Sequence, residues 1–180
     1  MINALKPLGG GAFGSVYKAI DPVTCEPVAV KVLDPSSCSN QKNFAFRLQQ
    51  EVTMQEMCCP HPNVCQLRQV STTASSSAII MDFSDTTLRH VRDLVLSEEE
   101  LRCVMSQLLL GVHHIHSLGI IHRDINPRNI LLDHAGTVRI ADFGLAGRAT
   151  PDMWLGDSPD RVVTENYRPP DMLIGASATE

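Results

Sequence analysis

Residues 122–144 read HRDINPRNILLDHAGTVRIADFG, and this stretch decides what the rest of the chain has to be. Two short apolar runs, NILLD at 129–133 and VRIAD at 138–142, are separated by HAGT, a turn by composition. Chemistry-bearing side chains stand at the ends of these runs. Asp124 and Asn129 lie five residues apart at the first, and Asp142 closes the second. Asn129 and Asp142 offer the hard oxygen atoms that Mg²⁺ takes as ligands. Asp124 has the chemistry to accept or orient a hydroxyl proton. In isolation all three are also ordinary loop residues, so the remainder of the chain has to arbitrate.

Upstream, GGGAFGSV at 9–16 has the spacing GxGxxGxV. It lies between two β-favouring stretches, whereas dinucleotide-binding folds place such glycines between a strand and a helix. Glycines here let backbone N–H groups approach phosphate oxygens with no Cβ in the way. A plain glycine-rich hairpin is the alternative. PVAVKVLD at 27–34 alternates, with Val28, Val30 and Val32 on one side and Ala29, Lys31 and Leu33 on the other. A strand-borne lysine beside a phosphate-cradling loop can pair with α- and β-phosphates if a carboxylate holds it. The breaker-free NFAFRLQQEVTMQEMC at 43–58 predicts a helix, ended by the prolines of CCPHPN. Glu51 is its candidate carboxylate, ahead of Glu56. The phase is uneasy, because Gln55 stands one turn after Glu51, where a packed helix wants an apolar residue.

CQLRQV at 65–70 and SAIIMDF at 77–83 predict further strands joined by a Ser/Thr-rich loop. Residues 97–119 carry the strongest helical signal. Ser97 with Glu100 makes a capping box, Leu101, Val104, Met105, Leu108, Val112 and Ile115 form an apolar stripe, and Gly119 ends it. With 43% apolar and 19% charged residues among 180, the chain can fill a core and is not disordered as a whole. A net charge of −5 argues against a generic nucleic-acid binder. No run of about 18 apolar residues predicts a membrane span, and the N-terminus lacks the pattern of a secretory signal. Six cysteines without a CxxC pair suit a reduced protein of the cytoplasm, the nucleus or both. Zinc at Cys58, Cys59, His61 and Cys65 is weighed against small core thiols at the same positions.

The sequence resembles the eukaryotic protein-kinase domain, through GGGAFGSV, VAVK, HPN, HRD…N and DFG in that order. The resemblance runs from about residue 5 to 175. It implies an α+β, two-lobed fold, with a β-rich N-lobe at 1–83 and a mainly helical, incomplete C-lobe at 84–180. It implies ATP and Mg²⁺ as cofactors and a protein substrate phosphorylated on Ser or Thr. Leu8, Gly9, Gly10, Gly11, Ala12, Phe13, Gly14, Ser15 and Val16 would cover the nucleotide, and Lys31 would pair its phosphates, held by Glu51. Val16, Ala29 and Leu131 would sandwich the adenine, Met81 would guard the back of the pocket, and Asp82 and Ser84 would offer hinge groups. Asp124 would serve the substrate hydroxyl, and Asn129 and Asp142 would hold metal. His122, Phe143 and Leu67 would belong to an internal hydrophobic spine.

VVTENYRPPDMLIGA at 162–176 is similar to the corresponding segment of cyclin-dependent and related proline-directed kinases. On that branch Thr164 orders the substrate-binding loop, Arg168 goes with a proline after the phosphoacceptor, and a cyclin-like activator is allowed for. No nucleic acid or membrane partner is implied. The departures count as well. Asn126 stands where a lysine would contact the transferred phosphate, and Arg128 is either its replacement or a solvent-facing side chain. Ala12 and Phe13 replace an inhibitory Thr-Tyr pair. Pro159 takes the activating-threonine position, leaving Ser158 to be phosphorylated, or Asp157 and Asp160 to imitate the charge, with Arg123 receiving it. Asn166 replaces a tryptophan and Asp171 a glutamate. The expected reading is therefore a kinase, with a catalytically impaired nucleotide-binding or protein-interaction module as the alternative. Because the helices expected after the activation segment are absent from the sequence, a fragment and a chain completed by a partner are both open.

Overall fold

The computed structural model describes residues 3–11, 14–35, 41–73, 76–91, 96–149 and 165–167. The β-favouring first third forms strands β1 (Asn3–Gly11), β2 (Gly14–Ile20) and β3 (Pro27–Leu33). Helix α1 (Gln41–Met57) follows, then β4 (Leu67–Thr72) and β5 (Ser77–Asp82). The five strands make one antiparallel sheet in the order β1-β2-β3-β5-β4. Gly14 opens β2 at φ +151°, and a Cβ there would overlap the Val32 carbonyl, so only glycine fits.

The alternation in β3 reaches a core on both faces. Val28 and Val30 pack with Ala19 and Ile80 on one side, and Ala29 and Leu33 with Ile79 and Met81 on the other. The second face is covered by α1 through Phe44, Leu48 and Val52. Lys31 lies in this buried strand and is only 8% exposed. Such a lysine needs an internal carboxylate.

The second part begins with the short strand β6 (Thr86–Thr87) and helix α2 (Glu98–Ser117). The capping box forms: Glu100 N–H donates to Ser97 Oγ at 3.2 Å, and Ser97 N–H donates to Glu100 Oε2 at 2.8 Å. Gly119 adopts φ +67° just past the helix. Strands β7 (Ile120–Ile121), β8 (Ile130–Leu132), β9 (Val138–Ile140) and β10 (Gly147–Arg148) follow. β6, β8 and β9 form a small sheet, and β10 pairs with β7. Ile115, Ile120, Ile140 and Phe143 are fully buried here, packed with Met54 of α1 and with Cys58 just past its end. Each such large side chain contributes about 1.5–3 kcal/mol, so this cluster ties α1 and α2 to the loop between β7 and β8. The expected two-lobed α+β fold is the one observed.

The apolar stripe of α2 needs correction. Val104, Leu108, Val112 and Ile115 pack inward, but Leu101 is 50% and Met105 42% exposed. The buried arc is centred on Gly111 and Ile115, which leaves those two at its edge. At Gly111 a Cβ would stand 2.8 Å from the Asn63 carbonyl oxygen and 3.0 Å from Ile140 Cδ1. The glycine thus lets the α1–β4 connection lie directly on α2. No helix among the described residues is long and apolar enough to cross a membrane.

Candidate active site

Three elements meet at Lys31. Its Nζ donates to Glu51 Oε1 of α1 at 2.6 Å and to Asp142 Oδ1, just after β9, at 2.8 Å. Glu56 is exposed on the other side of α1. Gln55, the uneasy position, is 1% exposed and donates its side-chain amide to the Cys65 carbonyl at 2.9 Å. A polar residue is needed there to satisfy a buried carbonyl, which is why Glu51 can keep its phase.

One ammonium serves two carboxylates, and the protonation energies reflect that. Burial works against the Lys31 charge, but Asp142 and Glu51 outweigh it and its pKa lies above the ordinary lysine value. Burial pushes the Glu51 carboxyl up, and Lys31 only partly offsets it. Burial also acts to raise Asp142, but the charge and hydrogen bond of Lys31 hold it below the usual carboxylate range. Asp142 has φ +66°, a left-handed conformation uncommon for a non-glycine residue, and its side chain stays about 45% exposed. It is the carboxylate of the three-group cluster that remains open to a ligand.

The loop between β7 and β8 is tied from inside. His122 is 2% exposed and packs edge-on against Phe143, with ring centroids 4.9 Å apart. Its Nε2 lies 3.1 Å from the Ala141 carbonyl, and Asp124 N–H donates to its Nδ1 at 3.3 Å. One neutral tautomer satisfies both contacts. Burial holds the His122 pKa below its ordinary value. Asn129 Nδ2 donates to the Asp124 carbonyl at 2.9 Å and to its Oδ2 at 2.8 Å, leaving the Asn129 amide oxygen as an acceptor.

Asn126 is 4% exposed. Its Oδ1 accepts from Arg128 N–H at 2.9 Å, and its Nδ2 donates to the Asp124 carbonyl at 3.2 Å. The amide is engaged in shaping the loop. Arg128 is exposed and lines a surface pocket with Arg89, away from the Lys31 cluster. Arg123, at φ +66°, donates from Nε to the Leu145 carbonyl at 2.6 Å, and Gln50 Nε2 donates to the Ala146 carbonyl at 2.8 Å. The segment after Asp142 is therefore held from both α1 and the loop.

Val16, Ala29, Met81 and Leu131 share one apolar cluster beneath β1 and β2. Leu8 is 41% exposed in β1, and Gly9 has open space where a Cβ would be. Gly10 and Gly11 pair with Ser15 and Gly14 across the β1–β2 turn. Asp82 N–H bonds the Gln66 carbonyl at 3.0 Å, and the Asp82 carbonyl takes a 3.6 Å contact from Cys65 Sγ. The neighbouring Ser84 hydroxyl is buried with no partner among the described residues.

The protein kinase domain model of the known families matches residues 2–180, nearly the whole chain. The chain belongs to the protein kinase domain family. It is 34% identical over 96% of its length to a probable serine/threonine-protein kinase of Arabidopsis thaliana, covering 24% of that protein. It is 31% identical over 97% of its length to a cyclin-dependent kinase C-2 C of the same plant, covering 27% of it. It is 36% identical over 98% of its length to a stress-activated protein kinase JNK of Suberites domuncula, covering 49% of that protein. This kinase domain thus spans about a quarter to a half of the length of these relatives.

Residues of the kinase domain to which the sequence alone gave no role are Gln50, Gln55, Asn63, Gln107 and Gly111. Asn63 joins two of them, Gln107 by a side-chain hydrogen bond and Gly111 by close approach. Its carbonyl accepts Ile140 N–H at 2.9 Å, and its Nδ2 donates to the Val138 carbonyl at 2.9 Å and to Gln107 Oε1 at 3.2 Å. A glycine in the middle of a strong helix was the available signal, since it costs helix stability unless something packs against it. Cys58 and Cys65 are fully buried, and burial pushes their thiols up to about 11 and about 12. Thiols so protonated are poor metal ligands, and no metal-holding group of three such residues occurs among the described residues. Ala12, Phe13, Asp157, Ser158, Pro159, Asp160, Thr164, Arg168 and Asp171 lie outside the described residues.

Proposed function

We propose that this kinase domain is an ATP- and Mg²⁺-dependent serine/threonine kinase that transfers the γ-phosphate to Ser or Thr followed by proline. The observation that carries the reading is Lys31, held 2.6 Å from Glu51 and 2.8 Å from Asp142, with Asp124 bonded to Asn129 on the adjoining loop. The residues present suit a magnesium nucleotide. The Ser84 hydroxyl has no partner among the described residues, Gly9 leaves room for a close approach, and Asn129 and Asp142 keep oxygen atoms available. Mg²⁺ commonly takes one or two protein ligands and completes its shell with phosphate oxygens and water. The metal would supply charge neutralisation at the phosphates.

In this reading residues 1–83 and 84–180 are the two lobes. Leu8 to Val16, including Ala12 and Phe13, cover the nucleotide, and Val16, Ala29, Met81 and Leu131 enclose the base beside Asp82 and Ser84. Lys31 fixes the phosphates and Glu51 fixes Lys31. Asp124 orients the substrate hydroxyl for in-line attack, which is most of what phosphoryl transfer asks of a protein. Thr164 and Arg168 shape the site for the residue after the phosphoacceptor, and Ser158 is a modification site for which Arg123 is the receiving cation. The cyclin-dependent kinase among the relatives supports a cyclin-like activator, and the cysteine usage supports a cytoplasmic or nuclear setting.

One observation favours a second reading, a nucleotide-binding module with impaired chemistry. Asn126 is buried and committed to its own loop where the family's lysine would reach the transferred phosphate. The test is Mg·ATP affinity and phosphate transfer to a Ser-Pro peptide, measured for the chain, Asp124→Asn and Asn126→Lys. Transfer that Asp124→Asn abolishes without weakening ATP binding supports the kinase. ATP binding by all three with transfer by none gives the module reading.

A further inference from the structure

We propose that the pocket beneath the catalytic loop binds an anionic side chain of the protein substrate, a carboxylate or a phosphate monoester, through Arg89 and Arg128. The pocket has a volume of about 490 Å³ and is walled by Leu88, Leu101, Pro127 and Tyr167, with both arginines in its lining. No acidic residue among the described residues lines it.

Among the described residues the two guanidinium groups stand out by their lack of compensation. Arg68 pairs with Glu26 and Asp82, Arg102 with Glu98, and Arg139 with Asp133. Arg89 and Arg128 are exposed, and no carboxylate among the described residues pairs with either. This occurs in a chain with 20 acidic against 15 basic residues. Among the described residues these two adjacent cations have no carboxylate partner, in a recess walled in part by Leu88, Leu101 and Pro127. Such walls lower the local dielectric and strengthen an incoming ion pair, and a guanidinium can grip a carboxylate or phosphate with two parallel hydrogen bonds.

The arginines are also held relative to each other. Arg89 N–H donates to the Pro127 carbonyl at 2.8 Å, and Arg128 N–H to Asn126 Oδ1 at 2.9 Å. Arg128 follows Asp124 by four residues, so their backbones are at most about 14 Å apart. That is the reach of about four residues of extended peptide. A substrate with its hydroxyl at Asp124 can therefore reach the pocket with a side chain within about four positions of the phosphoacceptor. The contact through Asn126 gives that residue a second consequence: it sets the backbone direction of Arg128 toward the pocket.

The inference rests on the kinase reading for the placement of the hydroxyl, so its test reads binding and transfer separately. Fluorescence anisotropy is measured with Ser-Pro peptides carrying a neutral residue, Asp, or phosphoserine in turn at each of the four positions before the phosphoacceptor and the second to fourth positions after it. The proteins are the wild type, Arg89→Ala, Arg89→Lys and the Arg89→Ala/Arg128→Ala double variant. The expected result is affinity about tenfold higher for an anionic peptide than for its neutral parent. That advantage falls with added salt, is lost in the double variant and is partly kept by Arg89→Lys. A gain with phosphoserine alone assigns a phosphate site, and a gain with Asp as well assigns a general anion site. Equal affinity for anionic and neutral peptides, no binding of any peptide, or a preference that survives in the double variant overturns the proposal. Transfer to the Ser-Pro parent is recorded in parallel. An anion preference without transfer counts against the kinase reading alone, and transfer without the preference counts against the pocket alone.

Discussion

Gly111→Ala is the most informative single substitution, because local and tertiary terms have opposite signs. In an exposed helix interior, replacing glycine by alanine stabilises by about 1 kcal/mol. Here the new methyl would stand 2.8 Å from the Asn63 carbonyl oxygen, 3.0 Å from Ile140 Cδ1 and 3.2 Å from Asn63 Cβ. The nearest atom is backbone, so no side-chain rotation relieves the contact. Overpacking of this kind costs about 1–3 kcal/mol. Displacing the carbonyl also weakens its 2.9 Å bond from Ile140 N–H, a further loss of about 1 kcal/mol. The sum is a net destabilisation of about 2 kcal/mol, or a fall in Tm of about 4–8 °C for a domain of this size. Urea unfolding at constant m, with the thermal midpoint alongside, measures it. A variant as stable as the wild type, or more stable, refutes the reasoning, for then helix propensity outweighs the seating of the α1–β4 connection on α2. Ile140 is followed by Ala141 and Asp142, so weaker Mg·ATP binding should accompany the loss.

Two further outcomes are expected. His61 stacks on His114 with ring centroids 4.3 Å apart, and burial, with His114, holds its pKa below the ordinary 6.5. The unfolded chain then binds protons first, so stability is full above pH 6.5 and falls as the pH drops below it. His61→Asn should flatten part of that slope between about pH 7 and 5.5 in urea titrations, and an unchanged slope would remove the stack as its source. Ser97→Ala removes the cap of α2 and should lower Tm by roughly 2–4 °C, with no loss expected in Mg·ATP affinity; circular dichroism melts beside a binding titration check both.

Local patterns were legible in the sequence to the extent that their partners are near in the chain. The capping box at Ser97 and Glu100 and the hairpin at 129–142 involve neighbours, and they formed as read. Glu51 could be named but its phase could not be explained, because the carbonyl that Gln55 satisfies belongs to Cys65, ten residues on. The α2 stripe was legible as apolar, yet periodicity does not say which neighbours cover it, and Leu101 and Met105 fell at the margin. Asn126 read as a missing cation. Only its contacts with Asp124 and Arg128 reveal a side chain spent on the shape of its own loop.

The shared hydrogen bonds of Lys31 also set an order of assembly. The Lys31–Glu51 contact closes 20 residues and the Lys31–Asp142 contact closes 111. Closing the longer loop costs about 1.5 kcal/mol more in chain entropy. The hairpins of the first sheet and their helix can bring the first pair together by themselves, while the second waits for β8 and β9. A chain emerging from the ribosome holds its lysine and first carboxylate well before the third partner exists. The site is therefore among the last features to close, and a length of chain that stops before Asp142 would carry a buried cation with half of its compensation.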